Sequence, residues 1–233
     1  MNIALILSGG VGARLGSDIP KQYISVKDRM IITYCLQIFG NHPKIDAIQI
    51  VADEQWYDEI SKQMPEAVLE KFKGFSTPGS NRQRSIFHGL QDILQYAEQS
   101  DIVIVHDAVR PLVSQNLLSA CVEGCKEHEG VMPVLDMKDT VYLGDGRQVI
   151  SLLEREMVYA GQAPEAFLLG KYYEANERLM PDQIDLIHGS TEPAVMAGMD
   201  MAMIPGDEGN FKITTRTDLE RFKAFVSGKN ENS

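Results

Sequence analysis

The run "NIALIL" (residues 2–7) and the loop after it, "SGGVGARLGSDIPKQY" (8–23), constrain this chain more than any other feature. A nearly unbroken apolar run of this length is too short for a helix and suits a strand covered on both faces. A strand that passes straight into a glycine-rich loop opens an α/β sheet in which backbone N–H groups point outward at a ligand, commonly a phosphate. Runs of the same kind recur as "AIQIVA" (47–52) and "DIVIVH" (101–106). Between them, residues 80–98 place Ile86, Leu90, Ile93, Leu94 and Ala97 at helical spacing, with Ser80 as the expected N-cap. Strands alternating with helices predict a doubly wound, mostly parallel sheet.

The alternation breaks after "GVMPVL" (130–135). "KDTVYLGDGRQVISLLE" (138–154) reads as two β runs around "GDG", a hairpin rather than another β-α unit. Helical periodicity returns near Gly170–Met180 and Thr217–Val226, with strand-like "DMAMIP" between them and a polar tail, "SGKNENS", expected to fray. The expected organisation is one domain, 1–233, carrying a β-arm insertion at about 136–160.

At 233 residues, 44% hydrophobic, the chain can bury a real core. Its net charge of −11 argues against nucleic acid or an anionic membrane as the main partner, because binding a phosphate backbone needs a broad surplus of cations. A small anionic ligand needs only a local cluster. No run approaches the roughly 18 to 20 apolar residues that span a bilayer, and "MNIALIL" lacks a signal peptide's basic start, so a cytoplasmic location is expected. The three cysteines form no C-x-x-C pair; Cys121, Cys125 and the nearby His128 are read as helix-face residues rather than metal ligands.

The opening loop fails two familiar tests. A Walker A loop needs a Gly-Lys pair that is absent, and a dinucleotide fingerprint needs a third glycine where Leu15 stands. Glycines 9, 10 and 12 still let backbone approach phosphate oxygens, and Arg14 and Lys21 add charged donors.

What remains is "GGVGARL" followed by "PKQY", with "GSNRQRS" (79–85) opening a helix, "HDAVRP" (106–111) ending a strand and "NFKITTRTDL" (210–219) near the carboxyl end. In this order the five segments resemble the cytidylyltransferases that make CDP-methylerythritol for isoprenoid synthesis or CDP-ribitol for wall polymers. The likeness runs from Ile3 to about Phe225. It implies a Rossmann-like nucleotidyltransferase fold, a homodimer joined through the hairpin arm, and CTP and a polyol phosphate as substrates with Mg²⁺ or another divalent cation. A phosphate oxygen of the polyol would attack the α-phosphorus of CTP and expel pyrophosphate. The resemblance assigns charge stabilisation to Arg14, Lys21 and Lys212, and nucleotide contacts to Leu7, Ser8, Gly9, Gly10, Gly12, Gly79, Ser80, Ser85, Asp107 and Ala108. Acceptor contacts would come from Asp107, Ser190 and, across the dimer, Thr140 and Arg155; Asp107 would be the one carboxylate near a metal held mainly by CTP phosphates.

Three positions depart from the family pattern: Ser80 for a frequent Asp, Ala163 for a frequent Thr, and Thr191 for the Asp of a Thr-Asp-Glu run. The last two lie toward the acceptor, so CTP is better supported than any polyol. The expected acceptor is 2-C-methyl-D-erythritol 4-phosphate, with ribitol 5-phosphate as the alternative. A non-catalytic nucleotide-binding protein on the same scaffold is the reading from a different class.

Overall fold

A computed structural model describes residues 1–10 and 19–228. Gly12, Arg14 and the tail from Lys229 lie outside the described residues.

The first strand, β1 (Asn2–Leu7), is followed by a small ribbon, β2 (Ser25–Val26) and β3 (Arg29–Met30), and by helix α1 (Ile31–Gly40). Next come β4 (Ala47–Val51), two short helices, α2 (Tyr57–Lys62) and α3 (Glu66–Leu69), and β5 (Phe72–Ser76). Helix α4 (Arg82–Ile93), β6 (Ile102–Asp107), α5 (Gln115–Gly124) and β7 (Gly130–Asp136) complete the first half. The arm carries β8 (Tyr142–Gly144) and β9 (Val149–Leu152); the chain then continues through β10 (Tyr159–Gly161), β11 (Glu165–Leu168) and α6 (Leu169–Glu177). It closes with α7 (Glu192–Met196), β12 (Met201–Pro205) and α8 (Arg216–Val226).

The main sheet runs in the order β10-β7-β11-β6-β1-β4-β5, with β12 parallel on the other side of β7. β6, β1, β4 and β5 are mutually parallel, whereas β11 runs antiparallel to both β6 and β7. The period-2 geometry of a strand explains the continuous apolar runs. Ile3 and Leu5 face one layer with Ile86 and Leu90 of α4 and Tyr172 of α6, while Ala4 and Ile6 face the other with Leu36 and Phe39 of α1 and Leu118 of α5. Both faces are covered, and each fully buried Ile or Leu contributes roughly 1.5 to 3 kcal/mol.

Helix α4 differs from expectation at its start. Asn81, not Ser80, is the N-cap: its side-chain oxygen accepts from the Arg84 N–H at 2.8 Å. The cysteines are buried, Cys121 and Cys125 on the inner side of α5, and His128 pairs with Asp200. No His/Cys/Asp/Glu group suited to a metal, and no helix long and apolar enough to cross a membrane, occurs among the described residues.

The arm leaves the sheet at Asp136 and rejoins it at Tyr159, and those two residues pair across β7 and β10. Among the described residues its strands pair with each other alone, and Val149, Ile150, Leu152 and Met157 are 63–75% exposed. An apolar two-stranded ribbon has little stability of its own in water.

Candidate active site

In the sheet, β4 and β5 lie to one side of β1 and β6 to the other, so the loops after β1 and β6 diverge. Crevices at such a switch point are where open α/β sheets bind ligands. Here it is a cavity of about 330 Å³, walled by Leu7, Gly9 and Gly10 after β1, and by Asp107 and Val109 after β6. Lys21, Gly79, Ser80, Ser85 and Lys212 line the same space, together with Gln22, Asn81 and Arg82, for which the sequence reading gave no role.

The "PKQY" segment divides its work. Lys21 faces the cavity, while Gln22 and Tyr23 are buried in the same 3-10 turn. The Gln22 amide donates to the carbonyls of Ser8 and Gly10 at 2.6 and 2.7 Å. Tyr23 donates to the Ser8 carbonyl at 2.9 Å and accepts from the Ser8 hydroxyl at 2.9 Å, with its ring stacked on Trp56. Burial pushes the Tyr23 phenol up to about 12, so it stays a donor. Gln22 and Tyr23 therefore fasten the strand exit. Ser8, expected to meet nucleotide, is buried in this fastening.

Glycines 9 and 10 serve different needs. A Cβ on Gly9 would lie 2.5 Å from Cβ of Pro78, so the β1 and β5 loops close only with glycine there; a Cβ on Gly10 would have no neighbour within 4 Å among the described residues. On the opposite wall, the Gly79 N–H donates to the Ser85 hydroxyl at 2.9 Å, which donates in turn to the Asn81 carbonyl at 2.8 Å. A Cβ on Gly79 would stand 2.3 Å from Cβ of Arg84 and 2.8 Å from its carbonyl carbon. Gly79→Ala is accordingly expected to lower stability by about 1 to 3 kcal/mol, the usual penalty of overpacking. Urea unfolding of the purified variant measures it, and a midpoint equal to that of the unchanged protein contradicts this packing account.

Asp107 is the electrostatic centre. One oxygen, Oδ1, accepts from Nε and Nη2 of Arg82 at 3.2 and 3.1 Å; the other, Oδ2, lies 3.0 Å from Nζ of Lys212 and 3.6 Å from Nε of Arg110. Burial alone would raise its pKa, but Arg82, Lys212 and Arg110 together outweigh burial and hold the carboxyl far below the usual range. Ala108 is buried, with its N–H on the Leu7 carbonyl, and does not line the cavity.

The neighbours of Asp107 build the turn. His106 is fully buried, lowered by burial to about 4 and hence neutral, and its Nε2–H donates to the Arg110 carbonyl at 3.0 Å. Arg110 donates through Nη1 to the Asn210 carbonyl at 2.8 Å, and the Ile213 N–H donates to the Val109 carbonyl at 2.9 Å. Asn210 in turn donates to the Ala163 carbonyl at 2.7 Å. These bonds hold residues 210–213 against the turn after β6, which is what brings Lys212 to Asp107.

Ser190 is placed differently from expectation. It is buried outside the cavity lining, and its hydroxyl donates to Glu165, as does that of Thr191 at 3.1 Å. A buried carboxylate needs such donors, and burial still pushes the Glu165 pKa up. Thr140 and Arg155 are on the exposed arm and at its root, outside the cavity of their own chain. Both oxygens of Asp107, the carboxylate expected near a metal, accept from cationic side chains.

The family model described as "IspD: 2-C-methyl-D-erythritol 4-phosphate cytidylyltransferase" matches residues 2–228. The ribitol-5-phosphate cytidylyltransferase of Lacticaseibacillus paracasei is 29% identical over 232 residues, 98% of this chain and 99% of that protein. The bifunctional enzyme IspD/IspF of Desulfotalea psychrophila is 33% identical over 97% of this chain, which spans 57% of that longer protein. Among solved structures, the 4-diphosphocytidyl-2C-methyl-D-erythritol synthase of Anaerococcus prevotii DSM 20548 superposes with a TM-score of 0.81 at 25% identity, covering 97% of this chain and 96% of that one.

Proposed function

We propose the following reaction for this chain, which belongs to the IspD family of cytidylyltransferases: transfer of the cytidylyl group of CTP to the phosphate of ribitol 5-phosphate, with release of pyrophosphate. The observation that carries it is the convergence of Lys21, Arg82 and Lys212 on one cavity at the switch point of the sheet, in a chain of net charge −11. An acidic protein that gathers cations there suits a small polyanion. As in-line displacement at phosphorus asks for positioning and charge stabilisation rather than acid-base work, Lys21 and Lys212 act on the α-phosphate, with Arg14 as a third cation. The Gly79–Ser85 turn reads the base. A divalent cation such as Mg²⁺, held mainly by CTP itself, would supply charge neutralisation beside these side chains. The enzyme works in the cytoplasm, where CTP is made, as a homodimer joined through its arms.

The acceptor rests on relatives named ribitol-5-phosphate cytidylyltransferase that match nearly end to end. The second reading, 2-C-methyl-D-erythritol 4-phosphate, is the acceptor expected first from the sequence and is favoured by the name of the matching family. Pyrophosphate release from CTP with each acceptor, and with glycerol 3-phosphate, separates them. A higher kcat/KM with ribitol 5-phosphate is the expected result; release with the methylerythritol phosphate alone overturns the acceptor, and release with none overturns the reaction. In the same assay CTP is expected to exceed ATP and GTP in kcat/KM, because a turn spaced for a pyrimidine leaves a purine's hydrogen-bond partners unmet. Equal values for a purine triphosphate contradict the role given to Gly79–Ser85.

A further inference from the structure

We infer that Arg82 is a positioning residue for this reaction, holding Lys212 at the cavity through the carboxylate of Asp107. The inference rests on the cytidylyl-transfer reading for what Lys212 does, but its geometry stands on the fold.

Arg82 is the first residue of α4, directly after the cap formed by Asn81, and the buried Ile86 and Leu90 fix that helix to β1. Two N–H groups of its guanidinium, Nε and Nη2, converge on a single oxygen of Asp107. A rigid fork on one oxygen orients the carboxylate and leaves Oδ2 for the Lys212 ammonium at 3.0 Å. Lysine has a flexible four-carbon stem and cannot orient itself. The contact is shielded, with side-chain exposures of 32% for Arg82, 9% for Asp107 and 36% for Lys212, so it is stronger than a surface ion pair. Among the described residues, charged side chains beside it include Arg110 near Oδ2 and buried Glu165 from β11, which is occupied by Ser190 and Thr191. Arg110 is 3.6 Å away and bound to Asn210, so it does not replace the fork.

The test compares Arg82→Gln and Arg82→Lys, each alone and combined with Lys212→Ala. Alone, Arg82→Gln is expected to lower kcat about 30-fold with KM for CTP changed less than about 3-fold, and Arg82→Lys to lose about 10-fold or less. In the Lys212→Ala background the further loss from Arg82→Gln shrinks below about 3-fold, since the residue it positions is gone. A loss confined to KM makes Arg82 a direct CTP contact and overturns the inference. So does an equal loss in both backgrounds. Should Arg82→Gln fail to fold, Arg82→Lys carries the same comparison. A second readout needs no substrate: the side-chain amine resonance of Lys212, assigned through Lys212→Arg, is expected to be ordered in the unchanged protein and averaged in either Arg82 variant. An unaltered resonance overturns the inference whatever the reaction, whereas an unchanged protein inactive with every acceptor counts against the reaction alone.

Discussion

Lys21→Ala is expected to keep its affinity for CTP and to lose on the order of 10²-fold or more in kcat. The local structure separates charge from scaffold at this position. Gln22 and Tyr23, the next two residues, carry the bonds to Ser8 and Gly10 that fix the strand exit, and both survive the substitution. What disappears is a cation at the cavity wall. Under the proposed function CTP affinity would be distributed over the Gly79–Ser85 turn, the glycine loop and the remaining cations, so one lysine would contribute a modest share of ground-state binding. Charge on the five-coordinate phosphorus exists only in the transition state, and a cation aimed there acts on kcat. Steady-state pyrophosphate release gives kcat and KM, and calorimetric titration with CTP gives affinity. Unchanged turnover, or a loss appearing wholly in KM, removes Lys21 from the chemistry.

The central strands were legible because they are covered on both faces. "NIALIL", "AIQIVA" and "DIVIVH" became β1, β4 and β6, whose alternate residues enter two separate layers. The hairpin was legible from "GDG": Asp145 there accepts from the N–H groups of Arg147 and Gln148. The reversed direction of β11 was not, because a four-residue strand carries no sequence signal of its direction and its pairing with β6 joins segments some 60 residues apart. Capping was misplaced by one residue for a related reason: Ser80 and Asn81 both suit the role, and the tight packing of Gly79 on Arg84 decides which side chain reaches the first turn. The cations of the site came from motif likeness, with Lys21 and Lys212 reaching one cavity from distant segments. Arg82 was hidden inside "GSNRQRS", where its polar neighbours give no periodic signal, and its contact with the end of β6 marks it out. Likewise, nothing local distinguishes Glu165; its partners Ser190 and Thr191 come from 25 and 26 residues along the chain.

The arm yields the other large effect: homodimers of Arg155→Ala and of Lys21→Ala are each expected to be nearly inactive, yet mixing them restores activity. The arm's apolar side chains are exposed on strands that pair with each other, and a patch of that kind suits a protein interface. Arg155 sits where the arm returns to the body, its side chain half exposed and paired with Glu156 at 3.3 Å, outside the cavity of its own chain. In the proposed dimer it and Thr140 reach the partner's cavity, where a guanidinium binds the acceptor phosphate with both charge and orientation. Each site then takes Lys21 and Lys212 from one chain and Arg155 from the other. A mixed dimer gathers both lesions in one site and leaves the second intact. After random exchange half of the dimers are mixed, each with one good site of two, so activity rises toward about a quarter of that of the unchanged protein, as two-fold symmetry requires. Exchange is followed independently by mass-tagging one variant. Confirmed exchange without recovery, or full activity from a monomer at working concentration, returns Arg155 to its own chain and ends the shared-site proposal.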